Sequence, residues 1–316
     1  MENFLSCDWG TSTFRLRLVK TNSGEIMAEE NSNQGIAKIY EVWKANNSVN
    51  GRLQFYLGII KQHIISIEEK LTSSLDSSPL VISGMACSTL GMIDLPYKEL
   101  PFLTDGSDLV TKIIRADNFD RETILISGAK TEDDAMRGEE TQLVGCSHND
   151  QKEQIFIFPG THSKHVTVKN GKVIDLKTYM TGEFFELLSE KSILSESVEK
   201  GLDTNDEKNI NAFKAGVKES LQSNLLNNVF KIRINHLFQK LTKQENYYYL
   251  SGLLIGSELK ESVGNDFEIT LVSNPHLHSF YEIAFNIITN EKKVLKIENA
   301  DDVTVRGQLK ILKQLI

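Results

Sequence analysis

The pattern of apolar and polar positions reads as a strand meander through the first 31 residues. Residues 4–7 are a short apolar run ending at Asp8, and Gly10-Thr11-Ser12 is a tight polar turn. Residues 14–19 (FRLRLV) repeat with period two, as a half-exposed strand does. Asn22-Ser23-Gly24 reads as a hairpin turn, with a returning strand over 25–30. The period then changes: Leu53, Leu57, Ile60, Ile64, Ile67 and Leu71 share one helical face and predict a helix over 52–71. Residues 79–84 and 122–128 read as buried strands, and 107–115 as a short amphipathic helix. Thr131 stands as the cap of a helix running to about residue 146, with Asp134 in the capping-box position.

A polar stretch, 148–154, follows, and then the opening pattern returns. Residues 155–158 are an apolar strand, Gly160-Thr161-His162-Ser163 a tight polar turn, and 164–169 alternate; Asn170-Gly171 is a type I′ signal before a returning strand over 172–179. Gly10 and Gly160 stand 150 positions apart, about half the chain of 316 residues. The repeat predicts a duplicated unit, with one domain over 1–147 and a second over 148–316. Beyond it, 182–195, about 207–243, and 248–261 read as mostly helical. Residues 267–273 read as a strand ended by Asn274-Pro275. A helix over 277–289, a strand over 293–298 and a helix over 303–315 complete the pattern. Strands alternating with helices predict an α/β chain with mixed sheets flanked by helices.

Composition narrows the chemistry. With 40% apolar residues the chain can bury a real core. Its formal charge of −8 argues against a dedicated binder of nucleic acid or anionic membrane. Cys7, Cys87 and Cys146 are too few and too scattered for a disulfide framework or a zinc site, and are expected as buried apolar side chains. No apolar run reaches the roughly 18 residues that span a bilayer. Glu2 and Asp8 flank the short first apolar run, so no signal peptide is expected and the cytoplasm is the expected compartment.

The two glycine-threonine turns are the chemical feature. Phosphate needs several N–H donors at close range, and glycine permits that approach. Two such turns facing each other would grip a triphosphate, with Asp8 near it as a hard oxygen ligand for Mg²⁺. The chain has neither the G-x-x-x-x-G-K-[ST] loop nor the G-x-G-x-x-G fingerprint, so a nucleotide site here must use the paired turns.

SCDWGTSTFRL (6–16) resembles the first phosphate loop of the actin/hexokinase/Hsp70 ATPase superfamily. RGEETQLVG (137–145), FPGTHSK (158–164), YMTGE (179–183) and LSGLLIG (250–256) follow in order. Together these stretches resemble the 2-keto-3-deoxygalactonokinase family from about residue 4 to about 310. The resemblance implies two ribonuclease-H-like domains around an interdomain cleft. It implies transfer of the γ-phosphoryl of ATP, with Mg²⁺, to the 6-hydroxyl of 2-dehydro-3-deoxy-D-galactonate. That step precedes aldol cleavage in galactonate breakdown.

Carried over by position, Asp8, Gly10, Thr11 and Ser12 match the first phosphate loop, and Gly160, Thr161, His162, Ser163 and Lys164 the second. Ser273 and Asn274 fall in the adenosine-contacting segment, where the family's usual glycine is missing. His165 stands where relatives usually carry Trp, a change expected to alter packing more than chemistry. Arg137 is a candidate grip on the substrate carboxylate, on a helix face shared with Glu140 and Thr141 at i, i+3 and i+4. A solvated ion-paired face is the other reading of that spacing. Gly84 and Met85 are candidates for the sugar side. Thr181 and Gly182 begin a helix, as an anion-facing turn or as a plain cap. The base is open among Asp8, Glu139, Glu140 and Glu183. His276 and His278 read as surface residues, residues 247–249 (YYY) as packing, and Gly252 and Gly256 as close helix contacts. The only expected partner is a small sugar acid. The pattern sets no oligomeric state, though a homodimer is common at this size. The alternatives are a same-fold kinase for another sugar or sugar acid, or a non-sugar actin-like ATPase module.

Overall fold

The structure is a computed structural model that describes residues 1–46, 51–71, 75, 78–201, 206–222, 224–262 and 267–316. The strands in chain order are β1 (Asn3–Trp9), β2 (Phe14–Lys20), β3 (Ile26–Ser32), β4 (Leu80–Gly84), β5 (Lys98–Glu99), β6 (Phe102–Leu103), β7 (Thr111–Ala116), β8 (Phe119–Ile126), β9 (Ala129–Lys130), β10 (Ala135–Met136), β11 (Gln154–Phe158), β12 (Ser163–Lys169), β13 (Lys172–Tyr179), β14 (Glu268–Ser273) and β15 (Leu295–Asn299). The α-helices are α1 (Ile36–Ala45), α2 (Arg52–Leu71), α3 (Glu139–Gly145), α4 (Thr181–Glu186), α5 (Glu207–Ser220), α6 (Leu225–Leu237), α7 (Lys243–Leu259), α8 (Pro275–Thr289) and α9 (Ala300–Leu315). The chain forms two compact units. The first holds Met1–His148, Gly171–Asp175 and Ala300–Ile316; the second holds Asn149–Asn170 and Leu176–Asn299.

The main sheet of the first unit runs β3-β2-β1-β4-β8-β7. β1 pairs antiparallel with β2 and parallel with β4, which pairs parallel with β8. Phe14, Leu16 and Leu18 are buried on one face, and the apolar face of α2, from Tyr56 through Ile60 and Ile64 to Ile67, closes the core. The strand is not half-exposed as expected: Val19 and Arg17 on its other face are buried too, Arg17 held by Glu29 and Asp301. α9 crosses α3 at two glycines. A β-carbon at Gly145 would stand 1.8 Å from the Val303 carbonyl oxygen, and one at Gly307 1.9 Å from that of Thr141. The boundary expected near residue 148 therefore does not hold the last helix in the second half: residues 300–316 pack in the first unit, through a backbone-to-backbone crossing that only glycine allows.

The second unit repeats the order. Its strands run β15-β14-β11-β12-β13, with β11 antiparallel to β12 and parallel to β14, and β14 parallel to β15. This is the arrangement β8-β4-β1-β2-β3 of the first unit, so the duplication read from the two Gly-Thr turns is a duplication of sheet topology. At the β12–β13 hairpin, Asn170 has φ 52° and Gly171 φ 70°, the pair of left-handed residues that a type I′ turn needs. α7 starts on a capping box of Thr242 and Glu245. Gly252 and Gly256 are close-packing positions: β-carbons there would stand 2.1 Å from the Phe213 carbonyl oxygen and 2.3 Å from Ser220 Oγ of α5.

Two expected elements are corrected. Residues 111–116 are a strand paired antiparallel with β8, not a helix, because β8 offers an unpaired edge that outweighs the weak local pattern. Thr131 caps no helix to 146. Its hydroxyl accepts from the N–H groups of Asp133 and Asp134, closing a turn between β9 and β10, and α3 begins only at Glu139. A capping hydroxyl serves any tight turn, and only a following apolar period makes it a helix start.

Candidate active site

In the first unit the turn after β1 is held from behind. The Gly10 N–H donates to the Thr13 carbonyl at 2.9 Å, while the Gly10 and Thr11 carbonyls accept from the N–H groups of Ile36 and Ala37 at the start of α1. Thr11 and Ser12 are exposed. Asp8 lies one step inside, opposite Ser83 of β4. Gly84 has φ 90° and Gly138 φ 115°, a backbone region that costs other residues dearly. A β-carbon at Gly84 would stand 2.7 Å from the Trp9 carbonyl and 3.5 Å from Asp8 Oδ1; one at Gly138 would stand 3.3 Å from Gly84 Cα. Gly84 thus leaves room beside the Asp8 carboxylate, and Gly138 lies close against Gly84. Burial pushes that carboxyl above its usual range; Arg15 and Arg17 oppose the shift, while Asp301 and Glu139 add to it.

Arg137 does not share a helix face with Glu140 and Thr141. Gly138 breaks the chain between them, so Arg137 precedes α3. Its guanidinium lies 4.0 Å from the Tyr97 ring centroid; Nε donates to the Tyr97 hydroxyl at 3.3 Å and Nη1 to the Cys87 carbonyl. Met85 and Cys87 form the one-turn 3₁₀ segment after Gly84. Glu139 accepts the Arg137 N–H at 3.0 Å. Glu140 is wholly buried and closes the Gly138 turn, accepting that residue's N–H at 2.7 Å and the Thr141 hydroxyl at 3.0 Å. Burial, then the Glu139 charge, pushes its carboxyl up to about 8.

In the second unit the Gly160-Thr161 turn is exposed, and α4 is pressed against it. A β-carbon at Gly182 would stand 2.6 Å from the Gly160 carbonyl oxygen and 2.7 Å from Thr161 Cα. The Glu183 N–H donates to the Thr161 carbonyl at 3.0 Å, and the Glu183 carboxylate pairs with His162 Nε2. Lys164 is buried, its ammonium donating to the His162 carbonyl at 2.8 Å. Ser163 is also buried, its Oγ 3.2 Å from the Tyr281 hydroxyl. A cavity of about 540 Å³ opens here, lined by Gly160, Thr161, Thr181 and Gly182 together with Tyr247, Tyr248, Phe280 and Ser251. That volume and its aromatic walls suit a nucleoside.

The structure thus brings Gly160, Thr161, Thr181 and Gly182 to one cavity, and Asp8, Gly84, Gly138 and Glu139 to one neighbourhood. Ser273 and Asn274 do not line the cavity: Ser273 is buried at the end of β14, and His276 and Leu277 just beyond them do. His276 is exposed, as expected, yet it lines the cavity with Tyr247 and Tyr248, whose aromatic run was the one available signal. Cys7, Cys87 and Cys146 are buried thiols, as expected. Among the described residues no group of three or more His, Cys, Asp or Glu could hold a metal ion, and no helix is long and apolar enough to cross a membrane.

Residues 8–311 match the model of the family described as 2-keto-3-deoxy-galactonokinase. The chain is 31% identical over 216 residues to the 2-dehydro-3-deoxygalactonokinase of Escherichia coli (strain K12), covering 66% of this chain and 71% of that one. The crystal structure of a candidate 2-dehydro-3-deoxygalactonokinase protein from Sinorhizobium meliloti is similar with a TM-score of 0.79 at 25% identity, over 99% of this chain and 96% of the other. The activator of 2-hydroxyisocaproyl-CoA dehydratase from Clostridium difficile, with bound ADPNP, shares the fold alone: TM-score 0.51 at 11% identity, over 99% of this chain and 94% of the other. The architecture is α/β, with mixed sheets flanked by helices in two units.

Proposed function

The chain belongs to the 2-keto-3-deoxy-galactonokinase family and is a sugar-acid kinase; on that premise we propose that it transfers the γ-phosphoryl of ATP to the 6-hydroxyl of 2-dehydro-3-deoxy-D-galactonate. One observation carries the reading. The second unit has a nucleoside-sized cavity at a glycine-threonine turn, and the first has the Asp8 carboxylate beside Gly84, with Arg137 stacked on Tyr97 just ahead of α3.

In this reading the cavity takes the nucleoside, the Gly160-Thr161 backbone and the Gly10–Ser12 turn hold phosphate oxygens, and Arg137 takes the acid's carboxylate. The residues fit Mg²⁺: the Asp8 charge is opposed by burial and by Asp301 and Glu139, a cost that a bound cation would relieve, and one carboxylate plus water is the usual protein share. Asp8 would hold the ion, which when bound neutralises phosphate charge. Of the four carboxylates considered as base, Glu140 is buried in its own turn and Glu183 pairs with His162, leaving Asp8 and Glu139.

A coupled ADP-release assay across keto-deoxy acids and aldoses tests the proposal. Turnover with 2-dehydro-3-deoxy-D-galactonate well above every other acceptor is expected. A faster aldose or another keto-deoxy acid replaces the substrate, and ATP hydrolysis indifferent to all acceptors replaces the reading by an ATPase module.

A further inference from the structure

Beneath the cavity of the second unit lies a buried polar cluster that the reading above does not use. Glu258 of α7 is 2% exposed, and its two oxygens meet three groups from three other elements. Oε1 lies 3.0 Å from His165 Nε2 on β12. Oε2 accepts from the Tyr281 hydroxyl of α8 at 2.9 Å and from the Thr181 hydroxyl at the start of α4. His165 is 4% exposed, and its other nitrogen lies 2.5 Å from Ser262 Oγ. Because the Tyr281 hydroxyl donates to Glu258, its oxygen is left to accept the proton of Ser163 Oγ, 3.2 Å away in the turn after β11.

Two of these groups, Thr181 and Tyr281, line the cavity, and a third, Ser163, belongs to the phosphate turn itself. We infer that Glu258 is a positioning residue: held by His165, it fixes Thr181 on one wall and Tyr281 on another, and through Tyr281 the turn that carries Gly160 and Thr161. This rests on the reading of the cavity as the nucleotide site. The physical ground is that a buried carboxylate facing several donors costs much to disturb, since removing it orphans every donor at once. Burial and the neighbouring Glu258 charge also hold the Tyr281 phenol well above its usual range, so it stays a donor.

The test is steady-state kinetics of Glu258→Leu, Thr181→Val, Thr181→Ser and the Glu258→Leu/Thr181→Val double variant. Leucine is used because glutamine would keep an oxygen able to accept from both hydroxyls. The two single variants that break the bond should each raise the KM for ATP about tenfold with the KM for the sugar acid within about twofold. Thr181→Ser keeps the hydroxyl and should recover most of the ATP affinity that Thr181→Val loses. The double variant should be no worse than the worse single, because both remove the Thr181–Glu258 bond. Additive effects, equal rises in both KM values, or an unchanged KM for ATP overturn the inference. If Glu258→Leu does not fold, Thr181→Val and Tyr281→Phe, which each remove one hydroxyl bond to Glu258 Oε2, should each raise the KM for ATP alone, and an unchanged KM for ATP in both overturns the inference. Ser251→Trp, which fills the cavity without touching the cluster, separates the two readings. If it leaves the KM for ATP unchanged, the nucleotide site lies elsewhere and both fall. If it raises that KM while Glu258→Leu does not, only the inference falls.

Discussion

Gly145 and Gly307 meet across the α3–α9 crossing, each standing where a β-carbon would fall within 2 Å of a carbonyl oxygen on the other helix, that of Val303 for Gly145 and of Thr141 for Gly307. α3 begins at Glu139, so this contact sets where the carboxylates near Asp8 stand. Gly307→Ala should lower the melting temperature through overpacking of about 1–3 kcal/mol, and reduce kcat as α3 shifts. Thermal unfolding by circular dichroism and a single-substrate assay check both; an unchanged melting temperature would show that the helices part without cost.

Asp8→Asn should reduce kcat by about 10²–10⁴-fold while leaving the fold intact. Burial already disfavours the charge at this position, so the neutral amide should hold or raise the melting temperature. In the protein free of Mg²⁺, the Asp8 carboxyl should titrate above the ordinary aspartate value of about 3.9, and Mg²⁺ should lower it. A titration that Mg²⁺ leaves unmoved removes the ion from Asp8, and full activity in the variant removes Asp8 from the chemistry.

Arg137→Ala should raise the KM for the sugar acid by about 10–100-fold, the worth of charge-assisted hydrogen bonds to a carboxylate, with little change in the KM for ATP. Equal effects on both substrates would assign Arg137 to bracing Tyr97 and Cys87 alone.

Gly182→Ala should act in the opposite sense. Its methyl group would strike the Gly160 carbonyl oxygen and push α4 from the phosphate turn, so the KM for ATP should rise while the KM for the acid holds. Binding of ATP by titration calorimetry is the direct measurement, and affinity equal to wild type would show that this turn yields without loss.

Glu140 gives a pH dependence of stability. The folded chain keeps its proton up to about pH 8, whereas the unfolded chain releases it near pH 4.3. Between those values folding takes up a proton, so this contribution to stability is present at low pH and is lost as pH rises through the window. Glu140→Gln mimics the protonated acid. It should melt with the wild type at about pH 5 and several degrees above it at about pH 9; a constant difference across that range would mean Glu140 is ionised throughout.

Local pattern carried much of this molecule. The period-two runs at 14–19 and 164–169, the glycine and asparagine turn residues between strands, and the apolar face of 52–71 all report on the chain's own geometry. Each was legible for that reason, as was the repeat of Gly10-Thr11 at Gly160-Thr161. Residues 111–116 and Thr131 misled because a strand edge and a tight turn can each recruit a segment whose own preference is weak. The cavity was only half visible: Gly160, Thr161, Thr181 and Gly182 lie in recognisable turns, but Tyr248, Ser251 and Phe280 come from the middles of helices whose periodicity says only that they are buried or half-buried.

The sequence by itself thus determined two copies of one strand-turn-hairpin unit, the paired glycine-threonine turns and the family, since all of these rest on residues near one another in the chain. Only the tertiary structure decided that α9 belongs with the first unit, that Gly84 stands beside Asp8 with Gly138 against it, and that Glu258 ties His165, Thr181 and Tyr281 together. Those contacts join positions scores to hundreds of residues apart, and no local spacing encodes which distant backbone will pass within reach.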